Sequence, residues 1–490
     1  MLLELTKQLT GVEKIKYKYV IIGAGLSGLS TAYELSKTYP GEILILEKDH
    51  NIGGLAKTIS KNNSQYDLGS HRIHIQISEK LFNFINEVTG GSKIIKKVRG
   101  GKLRLRNSNI MYPIKSLQFF VSLGLAESFR CAVSLIKYRL IGFFKSTNEK
   151  SSDYETYLIY NAGKRAYKIF YEPYALKVWG VEPNTISITA VKKRMSMINP
   201  IVFIKDIISL YFKKDNISYY YYLTNGVGDI ANGMYKTLLE NKVKVITGVS
   251  DFQLINSGQI HQVEIATNSG DSFTVAYDFL VSTIPINEIV MKLQPDKLIK
   301  QIVDKVKWRG LKLVYLHLKE DPVLAGETFY FPEIRYIFGR VSIPKRFSKT
   351  MQPDQSFTSY ICEVPCSMAD AKWSMSPGQL YQKCFEDLLN AKLIRPDNEI
   401  VTDKNFIVEL PMVYPLYTIG WQETILQLLH YLESSHKYIY TSGKCGFFMH
   451  CNMDHSIEIG MELAQYINDG KEPESFYNNI NRYHSYKLRD

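Results

Sequence analysis

No run of about 18 uncharged apolar residues occurs in this 490-residue chain, so no segment is expected to cross a bilayer. The stretch Met1–Lys18 carries several charges and has no apolar centre, so a secretory leader is not expected either. The six cysteines, Cys131, Cys362, Cys366, Cys384, Cys445 and Cys451, include no CxxC pair and no metal-ligand spacing. Reduced thiols in a cytoplasmic protein are the simplest expectation, with no bound metal. Nucleic-acid motifs, internal repeats and low-complexity linkers are also missing. Nucleic acid is therefore not an expected partner, and the lobes of the chain should be interleaved rather than strung out.

The chain is long enough for two to four lobes around a large core. Its basic residues outnumber its acidic ones to a net charge of +12. Such a surface suits an anionic partner, either a phosphorylated small molecule or an anionic membrane surface.

The most specific pattern opens near the N-terminus. Tyr19-Val20-Ile21-Ile22 reads as a buried parallel strand, and a helix is expected from Leu26 to about Thr38. Between them lies Gly23-Ala24-Gly25-Leu26-Ser27-Gly28. A second strand, Ile43–Glu47, places an acidic residue about 20 residues on, with Lys48 beside it. Glycines at this spacing let a pyrophosphate approach the backbone at a helix N-terminus, and Glu47 is placed to accept ribose hydroxyls. Gly53-Gly54-Leu55-Ala56 supplies a second close backbone approach near the same phosphates. The alternative is a glycine turn kept for packing alone.

The C-terminal part carries a matching half. Ser442-Gly443-Lys444-Cys445 follows the strand Tyr438–Tyr440. Asn452-Met453-Asp454 reads as the start of a helix over Met453–Asn468, with Asn or Asp available as a cap. A helix N-terminus favours negative charge placed on it, which suits a reduced isoalloxazine ring. Two half-sites at opposite ends of a chain are what FAD needs, whereas a nicotinamide cofactor would not require the second.

From about Tyr19 to Ile467 the chain resembles the amine oxidase/protoporphyrinogen oxidase-like FAD superfamily, in particular the branch containing UDP-galactopyranose mutase. The glycine motifs are common to the superfamily. Tyr66–His74, with Gly69, Ser70 and His71, is similar to the branch's histidine segment beside the flavin. Tyr171–Gly180 is similar to its Lys-x-Trp-Gly element, in which the Trp stacks on a nucleotide base. Tyr336–Arg340 looks like the strand whose Arg grips substrate phosphate, and Tyr414-Pro415-Leu416-Tyr417 fits the same pattern. The resemblance also places Tyr174 and Arg194 against substrate. It departs near the flavin: Lys444 stands in place of Arg, and Cys445, Met449 and His450 replace commoner residues. Lysine lacks the planar guanidinium fork, so the contact made there differs.

The expected fold is α/β, a doubly wound FAD-binding (Rossmann-like) domain with an inserted mixed-sheet substrate domain and a helical lobe. Residues 17–77, 223–285 and 421–490 should build the FAD domain, 78–222 a mostly helical lobe or substrate cap, and 286–420 the substrate-binding mixed-sheet domain. His71, Tyr414 and Tyr417 are the candidate catalytic residues, His71 as a donor to the flavin ring or acceptor of a substrate proton and the tyrosines as phenol donors to a substrate; the alternatives are a backbone-bonded structural histidine and ordinary packed tyrosines. Trp179 is either a core aromatic or a pocket wall. Arg340 should share one face with Tyr336 and Phe338 at period two, pairing with a carboxylate or a ligand phosphate. Cys445 and Cys451 read as small packing residues, the alternative being reactive thiols or a flavin tether. The basic, apolar stretch Ser116–Phe144 is a membrane-surface helix pair, a lid or a dimer face, and the membrane contact is not favoured. The function expected is an FAD-dependent oxidoreductase acting on a small anionic or nucleotide-linked substrate. The alternative is a non-redox isomerase like UDP-galactopyranose mutase, acting on a nucleotide sugar.

Overall fold

The computed structural model describes residues 15–90, 93–112, 116–146, 153–194, 218–257 and 260–488. Most of the charged lead-in and the part of the expected helical lobe between 195 and 217 lie outside them, as does the side chain of Arg194.

A seven-stranded sheet forms the frame of the first layer. Its order runs Lys244–Ile246, Ile43–Leu46, Lys16–Ile22, Ser272–Ser282, Ile260–Thr267, Val249–Ser257, with Ile439–Thr441 also pairing to Ser272–Ser282. Five of these strands are parallel, and the two hairpin strands extend the sheet antiparallel. Ile43–Leu46 is buried at every position, as expected for strands covered on both faces. The helix Leu26–Ser36 lies against this sheet and packs on the helix Met453–Asn468. The two helices come close because Gly460 has no side chain: a Cβ there would sit 2.1 Å from Ser30 Oγ. N- and C-terminal parts of the chain thus meet in one layer. The chain does not end its helices at Asn468, since Pro473–Tyr477 and Ile480–His484 follow.

A second seven-stranded sheet has the order Phe406–Pro415, Trp308–Leu318, Thr358–Pro365, Arg340–Ser342, Thr328–Tyr330, Lys102–Leu105, Ser108–Met111. It is mixed: only the pairing of Thr328–Tyr330 with Lys102–Leu105 is parallel. The segment expected to be mostly helical therefore contributes strands as well. Ile94–Val98 joins a small sheet with Ile73–His74 and Tyr219–Leu223, and Lys102–Met111 supplies an edge hairpin to the large one. These strands are short, and alternation over four or five residues is a weak signal. Helices Ser116–Leu123, Leu125–Phe143, Tyr154–Ala162 and Glu172–Trp179 make up the helical lobe.

Candidate active site

The parallel strands Lys16–Ile22, Ile43–Leu46 and Ser272–Ser282 end at one edge of the first sheet, and a cavity of about 640 Å³ opens there. Ligands of open parallel sheets bind at this carboxyl edge. Gly23 adopts φ +101°, and an added Cβ would meet Thr283 Oγ1 at 2.5 Å. Gly28 lies so close that a Cβ would fall 2.1 Å from the Gly23 carbonyl oxygen. These two glycines shape the turn. Gly25 differs: the nearest atom to its would-be Cβ is Gly54 Cα at 4.0 Å, and both glycines line the cavity. The backbone is bare there, and the N-terminus of Leu26–Ser36 opens beside it, as a pyrophosphate requires.

Glu47 closes its strand on the cavity wall. It is buried, and its two carboxylate oxygens accept from the backbone N–H of Ala24 (2.7 Å) and Asp49 (2.9 Å). Burial raises its pKa, with the two N–H donors opposing that shift. Each oxygen retains an acceptor site for a ribose hydroxyl. Lys48, Leu55 and Ala56 continue the wall.

The C-terminal half-site closes the other side. Gly443 (φ +76°) packs on Ser27, where a Cβ would meet Ser27 Cβ at 2.6 Å, and Lys444, Asn452 and Met453 reach the cavity. Asn452 occupies the N-cap position of Met453–Asn468, its N–H donating to His455 Nδ1 at 3.3 Å. Asp454 is buried in the first turn of the same helix and does not line the cavity. Cys445 and Cys451, expected as packing residues, stand on the cavity wall; burial pushes the Cys445 thiol up to about 11, so it stays protonated.

Beyond the glycines lies a positively charged end. Gly69 (φ +92°) lets the chain pass within 2.9 Å of Glu363 Oε1, measured from its would-be Cβ. Glu363 accepts from Arg340 Nε at 2.7 Å and from the Ser70 N–H at 3.3 Å. Ser70, His71, Arg340 and Lys444 all line the cavity. Burial opposes the Arg340 charge, and Glu363 together with the Tyr330 and Tyr414 hydroxyls more than offsets it, holding its pKa above the ordinary value. His71 is held neutral: burial, then the Arg340 and Lys444 charges, depress its pKa to about 3. Its buried Nδ1 has no well-formed hydrogen-bond partner among the described residues. A bare glycine cradle, the Glu47 carboxylate on the same wall and the Lys444, Asn452 and Met453 half-site across the cavity together fit a dinucleotide that spans both halves, as FAD does.

Several candidates lie elsewhere. Arg340 faces the cavity, but Tyr336 and Phe338 stack on each other (6.2 Å) in a separate core, because the strand begins only at Arg340. The expected shared face therefore does not form. Trp179, 3% exposed, sits edge-on to the His450 ring at 5.3 Å rather than on the cavity wall. Tyr414 and Tyr417 meet the same imidazole at 5.8 and 5.0 Å. Tyr417 is wholly buried, stacks on Trp421 at 4.2 Å, and its hydroxyl accepts from the His450 N–H. That packing removes Tyr417 from any surface substrate could reach. Tyr414 is closer to the site, with the Lys444 ammonium over its ring at 5.6 Å. Tyr174 stacks on Phe170 at 6.1 Å and does not line the cavity. Arg194 ends the helix Thr189–Arg194.

The sequence reading missed part of the wall: Val249–Phe252, beside Glu47 through the Val249 N–H that donates to its carbonyl at 3.0 Å, the Thr283-Ile284-Pro285 turn and Glu288. Burial raises the pKa of Glu288, with Lys48 and Lys292 opposing. The available signal was the carboxyl end of Ser272–Ser282, a parallel strand next to the glycine strand.

Residues 21–88 match the NAD(P)-binding Rossmann-like domain family. Among solved structures, reduced UDP-galactopyranose mutase superposes with a TM-score of 0.80 at 21% identity, covering 97% of this chain and 98% of that one. A candidate protoporphyrinogen oxidase from Exiguobacterium sp. 255-15 gives 0.67 at 15% identity over 94% and 100% of the two chains. Putrescine oxidase bound to putrescine gives 0.59 at 13% identity over 93% and 100%. The chain has the fold of the amine oxidase-like FAD superfamily.

Proposed function

We propose that this protein is an FAD-dependent oxidoreductase acting on a small anionic substrate. FAD would lie along Gly25, Gly54 and Glu47, with its ring end toward His71 and Lys444. When bound, the flavin supplies hydride or electron exchange with the substrate. The chain's own residues do the rest. Arg340 and Lys444 attract and orient an anion, and water exclusion at this buried end strengthens that attraction. His71, neutral at physiological pH, is too weak a base to abstract a proton readily and instead offers an N–H or a lone pair to hold a ligand atom. Glu363 fixes the Arg340 guanidinium through Nε and leaves its terminal nitrogens to the ligand.

The observation that carries this reading is the Arg340–Lys444–His71 grouping at one end of the dinucleotide cleft. A second reading is favoured by the full-length superposition on UDP-galactopyranose mutase: a non-redox isomerase acting on a nucleotide sugar. Against it, Trp179 is buried and away from the cavity wall, which gives a base little to stack on. Two measurements separate the readings. Anaerobic mixing with small anionic substrates should bleach the oxidised flavin if the protein is an oxidoreductase. Turnover of a UDP-sugar only after dithionite reduction, with no net redox change, would contradict that and establish the isomerase.

A further inference from the structure

Nine of the twenty exposed large hydrophobic side chains among the described residues lie between Val121 and Phe144. Six of them, Leu125, Phe129, Val133, Ile136, Leu140 and Phe143, recur at spacings of three and four along the helix Leu125–Phe143. They fall within an arc of about 80° at the helix's rotation per residue. Leu125 is 94% exposed and Phe143 82%, so the stripe faces outward. The opposite face is anchored. Gly163 (φ +82°) has no Cβ, which would otherwise meet Leu135 N at 2.7 Å, and the Arg165 N–H donates to Ser134 Oγ at 3.1 Å. Arg165 also pairs with Glu127. The apolar stripe is thus the outer side of a fixed helix.

Charge decides what covers it. Arg130 and Lys137 border the stripe on one side and Arg139 on the other, by the same helical rotation. Glu127 is the single acid between Ser116 and Ser146, and it is engaged by Arg165, Arg106 and Arg130. Lys164 and Lys168 stand beside Arg130 and Lys137 around one hollow. Lys168 is paired with Glu172, so a second copy docked on this face would bring a surplus of like charges together, with Glu127 and Glu172 already engaged. An apolar stripe bordered by cations on both sides matches an anionic bilayer surface, where the rings enter the acyl boundary and the cations reach phosphate. No described helix is long and apolar enough to cross a membrane.

We infer that the outer face of Leu125–Phe143 docks the protein on anionic lipid. It is independent of which reaction the cleft performs. The test is co-sedimentation of the full chain with vesicles of phosphatidylcholine alone or mixed equally with phosphatidylglycerol. The mixed vesicles should bind roughly ten-fold more protein or better, and added salt should release it. Phe129→Ser with Leu140→Ser should abolish binding to both; Arg130→Glu with Lys137→Glu should remove the preference for the anionic vesicles. Equal binding to the two vesicle types, or no sedimentation with either, overturns the proposal. So does a dimer in solution that the serine variant breaks apart. Should that variant fail to fold, the salt release of the unaltered protein decides: binding insensitive to salt contradicts the inference.

Discussion

Gly180 sits at the C-terminal end of the helix Glu172–Trp179 with φ +69°, and the Arg309 guanidinium lies where its side chain would be, 2.5 Å from a built Cβ. Arg309 in turn donates to the Val178 carbonyl and pairs with Asp370 at 2.6 Å. Lys177 donates to the Phe331 and Phe338 carbonyls, and burial pushes its ammonium down to about 7. The Lys-x-Trp-Gly element thus braces the helical lobe against the second sheet, whatever else it does. Gly180→Ala adds left-handed strain and displaces a buried guanidinium, so it should cost about 2–4 kcal/mol of stability. Denaturant unfolding checks this, and the folded fraction should still hold flavin. His71 yields a pH prediction. The unfolded imidazole takes a proton as pH falls through about 6.5, while the folded one resists until about 3. Protons therefore favour the unfolded chain across that window, and stability falls as pH drops from about 6.5 toward 3. In His71→Asn the unfolding midpoint should change less steeply over the same range.

At the scale of elements, the parts with a long-range job left the plainest marks. The strand Lys16–Ile22, the glycine turn and the helix from Leu26 were legible because continuous burial and close approach each demand particular residues. The C-terminal helix Met453–Asn468 was legible from its cap and apolar period. The short strands at 94–111 were not, since four or five residues carry little periodicity; Ile94–Val98 pairs with the distant Tyr219–Leu223, and the 102–111 hairpin is held in its sheet by the distant Thr328–Tyr330. The direction of Arg340 was read from strand alternation that begins only at that residue. Trp179 illustrates a second limit: sequence showed an aromatic beside a glycine, and only packing shows it turned edge-on to His450. The glycine turn makes the sharpest element-scale prediction. Gly28→Ala would drive a methyl into the Gly23 carbonyl, so the turn must open and the cofactor be lost even if the sheet survives.

Across the whole molecule, both ends of the chain build one sheet layer, and the second sheet folds over the cleft they create. A cofactor spanning the glycine cradle and the Lys444–Met453 half-site would tie these parts together, which makes flavin content a readout of the entire architecture. A net charge of +12 suits both an anionic ligand in the cleft and anionic lipid on the outer helix. The most direct measurement is the identity and stoichiometry of the dinucleotide released from purified protein by acid, after incubation with FAD or NAD and removal of the excess. The structure predicts about one FAD per chain for the unaltered protein and little for Gly28→Ala. A folded, unaltered protein that retains no FAD, or that holds NAD in its place, would contradict it.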